Sequence, residues 1–420
     1  MARMNDAAHG RSGVSTIEAS EDEVLYNPRD PRMRDDPYPF YRRLQQAAPV
    51  YRTPFGFWVV SGYPEVGKLL REPKLTSEFH RDKKWAEHRG GWESPIVTDT
   101  RKWMLMLDGS AHRRIRGLVN PVFSALALDR IRESIAGILD DILDEMGDGD
   151  GIDLISRLAL PVPVTVICGL VGLPVSDREL CRKWTEEIGH VVDPVLDDRT
   201  REAMNTSVTE FRDYIREHLT DRRKNPQDDI LSRLATAEVD GERLTDDEVV
   251  ANVLLLFNAG HETTVNLIGN GVLALLRHPD QLAALRAEPG IVEEGVDEFV
   301  RYDAPVQLVA RIATGDIEVG GHTIPAYSKI MLLLGAANRD PRRYEDPDRL
   351  LLTRENIKPL SFGGGPHYCI GAMLGKLEGR MIFTELLRRY RRIELTEDRV
   401  VWRPHVNFRG LTELRVDLAH

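Results

Sequence analysis

The stretch from Thr245 to His278 constrains this chain most, because every local signal in it specifies one very long helix. Thr245-Asp246-Asp247-Glu248 has the form of a capping box, in which hydroxyl and carboxylate satisfy backbone N–H groups that a first turn leaves unpaired. Apolar residues then dominate until Pro279 stops the run. Roughly thirty residues is long for a globular helix, so this one is expected to cross the whole molecule. Its interior carries an irregularity, Ala259-Gly260-His261-Glu262-Thr263-Thr264. Glycine there costs about 1 kcal/mol relative to alanine. The two threonine hydroxyls can bond back to carbonyls one turn earlier, which bends or opens a helix. A groove for a small diatomic ligand is the expected result.

A second stretch carries the chemistry: Phe362-Gly363-Gly364-Gly365-Pro366-His367-Tyr368-Cys369-Ile370-Gly371. Glycines at 363, 364 and 365 permit positive φ, Pro366 stiffens the turn, and an apolar helical pattern starts directly after Cys369. The sulfur is therefore expected at a helix N-terminus, where partial positive charge and N–H groups lower a thiol pKa. Gly371 would allow close backbone approach, and Phe362 would cover the sulfur. A thiolate so placed suits an axial ligand to haem iron, which favours O–O cleavage.

Phe362, Gly365, Cys369 and Gly371 match the pattern Phe-x-x-Gly-x-x-x-Cys-x-Gly, and here the chain resembles the cytochrome P-450 family of haem-thiolate monooxygenases. Glu262 and Thr263 match the family's acid–alcohol pair, which the resemblance makes catalytic as a proton relay toward dioxygen, with Ala259 beside the cofactor. Glu298-Phe299-Val300-Arg301 places opposite charges three residues apart on one helix face and matches the family's Glu-x-x-Arg. Apolar neighbours suggest a buried pair needing a third partner, expected to be Arg349, with a structural role. The resemblance assigns the haem propionates to His112, Arg116, Arg311 and His367, and the iron to Cys369.

The implied fold is mainly α, a single triangular domain with a long central helix and small β-sheets, the haem held between that helix and the Cys loop. Residues 1–26 are expected to be a disordered tail and 27–420 the domain. The implied reaction inserts one oxygen atom from O2 into an apolar small molecule, by hydroxylation or epoxidation. A polyketide or macrolide, a steroid or a terpenoid is the expected substrate class. The cofactor would be haem b. Electrons would come from NAD(P)H through a ferredoxin reductase and a ferredoxin, because the chain shows no flavin or iron–sulfur module. A haem-thiolate peroxygenase or isomerase, and a non-catalytic haem sensor, are the rival readings. Candidate pocket walls are Trp85, Trp92, Ile96 and Val97; Leu255 and Asn258; Leu308 and Val309; and Val406, Asn407 and Phe408.

Bulk properties narrow the field. The 420 residues are 42% hydrophobic and 29% charged, enough for a sizeable core. Lys plus Arg total 56 against 67 Asp plus Glu, and the net charge of −11 argues against nucleic acid or an anionic membrane as main partner. A monomer is expected. Three cysteines, 168, 181 and 369, with no C-x-x-C, exclude zinc-ribbon, ferredoxin-like and c-type haem readings. The run from Leu158 to Val175 is interrupted by Pro161, Pro163 and Pro174 and is too short for a membrane span, so a cytoplasmic location is expected. His261-Glu262-Thr263-Thr264-Val265 begins like a zinc-protease helix but lacks the second histidine. Lys376, Arg380, Arg388, Arg389, Arg391 and Arg392 form a basic cluster that is expected to dock an acidic ferredoxin, an expectation that neutralising Arg113, Lys376 and Arg380 would test.

The pattern further predicts a helix over 39–48, a hairpin over 50–60, an irregular loop over 78–103, and helices over 111–118, 126–147, 153–171, 177–193, 199–223 and 227–236. Strands are expected over 306–333 and 393–418.

Overall fold

The computed structural model describes residues 25–28, 30–193, 196–239 and 241–420. The central helix runs Asp246–Arg277, 32 residues, which at 1.5 Å per residue is roughly 48 Å. Its capping box forms: Thr245 Oγ1 accepts from the Glu248 N–H at 3.2 Å, and Glu248 Oε2 accepts from the Thr245 N–H at 2.9 Å. Helices Pro161–Val171, Asp198–Lys224, Val292–Tyr302 and Ala372–Arg389 pack around it. Glycine permits the closest of these approaches: a Cβ on Gly271 would lie 2.4 Å from the Phe383 ring of the Ala372–Arg389 helix.

Beside this helical core lies a five-stranded sheet. Its order is Val50–Arg52, Trp58–Val60, Lys329–Leu333, Leu308–Ala313, Leu75–Thr76. All neighbours are antiparallel except Trp58–Val60 with Lys329–Leu333. A second sheet joins Arg392–Leu395, Arg415–Ala419 and Gly149–Asp153. The hairpin and both strand regions fall where the alternation put them. Among the described residues, no helix is long and apolar enough to cross a membrane.

Several expectations need correction. The segment 153–171 is not one helix: the Leu160 N–H bonds the Ile155 carbonyl at 2.9 Å, closing a wide turn over Ile155–Ala159, and the regular helix starts at Pro161. Pro161 and Pro163 carry no N–H, so regular pairing cannot pass through them. The region 78–103 is not a plain loop. It holds helices Lys83–His88 and Pro95–Thr100, the first capped by Asp82, whose carboxylate accepts from the Trp85 N–H at 2.7 Å. Helices that short show no periodicity to read. Most of the expected tail, 1–24, lies outside the described residues, but Tyr26 is 2% exposed and packs with Met33, Tyr38 and Tyr41. The packed chain therefore begins before residue 27.

Candidate active site

The Cys loop owes its shape to two glycines. Gly363 and Gly365 have φ of 71° and 62°, and a Cβ on Gly365 would lie 2.6 Å from the Leu70 carbonyl oxygen. Gly364, expected to share this role, is extended with φ −171°. The Cys369 N–H donates to the Phe362 carbonyl at 2.9 Å and closes the loop. The following helix begins at Ala372 with Gly371 as its cap, so the sulfur stands just ahead of the first turn. Cys369 is exposed even though protein surrounds most of it. Burial pushes its thiol up, while the Gly371 N–H and the Arg116 guanidinium pull it down. The expected net lowering is thus overturned in the protein alone: desolvation of an anion outweighs one N–H and one nearby cation.

On the central helix, residues from Val249 to Leu275 are buried except Asn258, Ala259, Gly260, Glu262 and Thr263. Thr263 Oγ1 donates to the Ala259 carbonyl and Thr264 Oγ1 to the Gly260 carbonyl, both at 3.0 Å. These are the back-bonds the sequence suggests, and the helix continues through them. Glu262 is turned the other way: Arg403 Nη1 is 3.9 Å from its Oε1, and a Cβ on Gly189 would lie 3.3 Å from its Oε2.

The four expected propionate contacts separate into different states. Arg311 is half-buried, its pKa pushed down to about 10 by burial, and its guanidinium makes one hydrogen bond, Nη1 to the Ala310 carbonyl at 2.7 Å. Among the described residues no carboxylate pairs with it. His112, 4% exposed, lies against His367 with ring centres 4.5 Å apart. Burial first, then His367 and Arg116, push His112 down to about 4, so it is neutral at pH 7. His367 Nε2 is held by Asp108 at 2.8 Å, and Asp108 also accepts from Thr76 Oγ1 at 2.6 Å and the Ser77 N–H at 2.8 Å. Arg116 donates to the Tyr368 carbonyl at 2.7 Å and to Asn120 at 2.8 Å. It therefore braces the Cys loop and is committed to those oxygens.

These residues fit a dianionic cofactor that the Cys369 sulfur would hold and whose carboxylates Arg311 would meet. A half-buried guanidinium with unused donors suits a carboxylate. Among the described residues a Cβ on Gly371 would meet no atom within 4 Å, and its φ of −85° makes no demand for glycine. The room beside the sulfur is thus kept for something other than side chain.

Glu298 and Arg301 are both 0% exposed and form a two-pronged pair at 2.6 and 2.8 Å. The third member is Arg354, whose Nε donates to Glu298 Oε1 at 3.2 Å. Arg349, the expected partner, contributes only its carbonyl, accepting from Arg301 Nη2 at 3.0 Å. Its side chain is 60% exposed and reaches Asp280 at 3.6 Å. Both arginines sit in one loop, and the turn after Asp346 points Arg349 outward.

The candidate pocket walls also divide. Trp85, Ile96, Val97, Leu255 and Leu308 are buried core residues, and Asn407 is buried with its Nδ2 donating to the Val192 carbonyl at 2.7 Å. Trp92 is 37% exposed under the Arg101 guanidinium and belongs to no packed wall. Asn258 donates to the Thr185 carbonyl at 2.9 Å, Val309 is half-buried, and Val406 and Phe408 line a shallow cleft with Tyr26, Pro37 and Trp402. In the basic cluster, Lys376 pairs with Asp297, Arg380 with Glu293, Arg388 with Glu385, Arg389 with Asp140 and Asp144, and Arg392 with Asp150.

Two residues escaped the sequence reading. Asp108 looks like a helix cap, yet no cap bond forms and its carboxylate serves the Cys loop instead. Glu378 is 3% exposed on the helix after Cys369, its carboxyl pushed up to about 8 by burial and partly restrained by Thr264. Nothing in the sequence marks it apart from a charge among apolar helix residues.

Fold and site together define a mainly helical protein with one long unbroken central helix and a cysteine sulfur presented just ahead of the Ala372–Arg389 helix. The cytochrome P450 family model matches residues 50–407. PksS of Bacillus subtilis (strain 168), a polyketide biosynthesis cytochrome P450, is 33% identical over 95% of this chain and 100% of its own length. The 6-deoxyerythronolide B hydroxylase of Saccharopolyspora erythraea is 36% identical over 91% and 96%. Among solved structures, CalO2 superposes with TM-score 0.89 at 32% identity, covering 94% of this chain and 98% of that one. This chain belongs to the cytochrome P450 family and is an oxidoreductase that incorporates molecular oxygen.

Proposed function

We propose that this protein binds haem b through the Cys369 thiolate and oxidises an apolar small molecule of the polyketide or macrolide class. The observation that carries the cofactor reading is the presence in one chain of an accessible Cys369 and of an Arg311 guanidinium that makes one hydrogen bond among the described residues. The names of the relatives from Bacillus subtilis and Saccharopolyspora erythraea support the substrate class. Bound there, the thiolate-ligated haem supplies activation of O2; Arg311 and the ring N–H of His112 would hold its carboxylates, with His367 recruited by exchange from Asp108.

The chain's own part is to exclude water and deliver protons. Thr263 donates to Ala259, which leaves its oxygen lone pairs toward the accessible side of the helix. It can therefore accept a hydrogen bond without losing its own, and a turn about χ1 makes it a donor. Glu262, near Arg403, would take up protons on the far side of the same turn and return them to Thr263. Electrons would arrive from NAD(P)H through a reductase and a ferredoxin. Because five of the six clustered cations are already paired, Arg391, together with Arg113 outside the cluster, would be left among the described residues to steer an acidic donor.

Substrate-induced difference spectra over a macrolide, steroid and terpenoid library test the class directly. Macrolides or their aglycones should give the tightest binding and NADPH- and O2-dependent product. A library in which only steroids bind and turn over would overturn the substrate assignment and leave the cofactor assignment standing.

A further inference from the structure

Outside the catalytic pair, one cluster has no job in the reaction. We propose that His190, Asp193 and His405 bind a divalent first-row transition-metal ion, zinc being the best match, which fastens the end of the Arg178–Gly189 helix to the C-terminal segment beside Glu262.

One ligand atom from each of the three residues lies within 4.8 Å of the other two. His190 Nδ1 is 2.7 Å and His405 Nδ1 3.7 Å from Asp193 Oδ2, and the imidazole centres are 5.2 Å apart at 34°. Zinc bonds of about 2.0–2.1 Å in a tetrahedral site place ligand atoms roughly 3.4 Å from one another. Small side-chain rotations bring this set to that spacing. Two imidazoles and one carboxylate are a donor set borderline metals favour, with a fourth position for water.

The second observation is what the protein leaves undone. Asp193 Oδ1 and His405 Nδ1 are sealed from solvent and have no hydrogen-bond partner among the described residues. Buried polar atoms are ordinarily satisfied, and two orphans on neighbouring ligand residues share one remedy, a cation accepting a lone pair from each.

The backbone around the site is already fixed. Arg89, 3% exposed, donates to the carbonyls of Val191 at 2.8 Å and Asp193 at 2.9 Å, and Asn407 donates to the Val192 carbonyl. Charges near the cluster are mixed: cationic Arg89 and Arg403 against the carboxylates of Glu187 and Glu262. An ion would thus join two elements that both touch Glu262, Gly189 from the helix and Arg403 from the segment.

The test uses tag-free, haem-loaded protein dialysed against EDTA, titrated calorimetrically with zinc chloride and melted with and without zinc. Wild type should bind one equivalent of zinc with micromolar or tighter affinity and melt higher in its presence. H405Q and D193N, checked for folding by their haem spectra, should each weaken binding by at least about 10-fold and lose the melting shift, while H218Q behaves as wild type. Wild type that takes up no stoichiometric zinc would overturn the proposal and leave a proton-bridged His–Asp–His network. Equal binding by wild type, H405Q and D193N would overturn it as well, by placing the zinc elsewhere.

Discussion

Two arginine sites, Arg301 wholly buried and Arg311 half-buried, behave in opposite ways. Arg301 uses all five of its N–H groups: on both Glu298 oxygens and on the carbonyls of Asn338, Pro347 and Arg349. Arg311 uses one, on the carbonyl of its own neighbour. A cation whose donors are all matched inside the protein holds the fold. A cation left with idle donors in an enclosed place is prepared for an anion that arrives later. The same contrast separates Glu298, fixed by Arg301, Arg354 and the Leu351 N–H, from Glu378, buried without a basic partner among the described residues.

Breaking the closed site should have the largest effect. E298A or R301A leaves an unpaired buried charge, expected to cost about 3–5 kcal/mol, and chemical denaturation or the yield of folded protein reads it. R301K should not rescue, because an ammonium cannot reproduce the five-donor fork.

Glu378 comes next, and its sign is opposite. The folded state holds its proton up to about pH 8, whereas the unfolded chain releases it near 4.3. Stability present at acid pH is therefore lost as pH rises through that window. E378Q should remove this decline and stabilise the protein at pH 8 by on the order of 3 kcal/mol. Melting curves from pH 5 to 8.5 decide it; equal pH slopes in E378Q and wild type would show the carboxyl to be ionised throughout.

Opening Arg311 further should do little to the fold and more to cofactor retention. R311Q is expected to keep apo-protein stability within about 1 kcal/mol while haem loss to a scavenging apo-globin speeds up by roughly 10-fold. Loss of fold in R311Q would mean that its role resembles that of Arg301.

The smallest effect belongs to Arg349. R349A should cost under about 1 kcal/mol, as an exposed pair with Asp280 predicts, whereas R354A should cost several times more. Equal costs would restore Arg349 as the third partner.

What the sequence disclosed was local. The capping box at Thr245 and Glu248, the back-bonds of Thr263 and Thr264 and the positive φ of glycines 363 and 365 are set by neighbours within four residues and form as read, although the helix stays continuous where the back-bonds were expected to bend or open it. The choice between Arg349 and Arg354 depends on a turn with positive φ at Asp346, which a charge pattern does not reveal. Short helices at Lys83–His88 and Pro95–Thr100 are held by contacts with distant residues, such as Asn205 accepting from the Ile96 N–H at 3.0 Å. The roles of Asp108 and Glu378 arise from partners far along the chain, His367 and Thr264, and pocket walls were chosen by hydrophobicity, which core and pocket share.

The most direct test of the account concerns Cys369. Purified protein loaded with haem, reduced and exposed to carbon monoxide, should show the strongly red-shifted Soret band of thiolate ligation, and a folded C369S protein should lose it. Absence of that band from wild type, or its persistence in C369S, would contradict the assignment of this sulfur as the iron ligand.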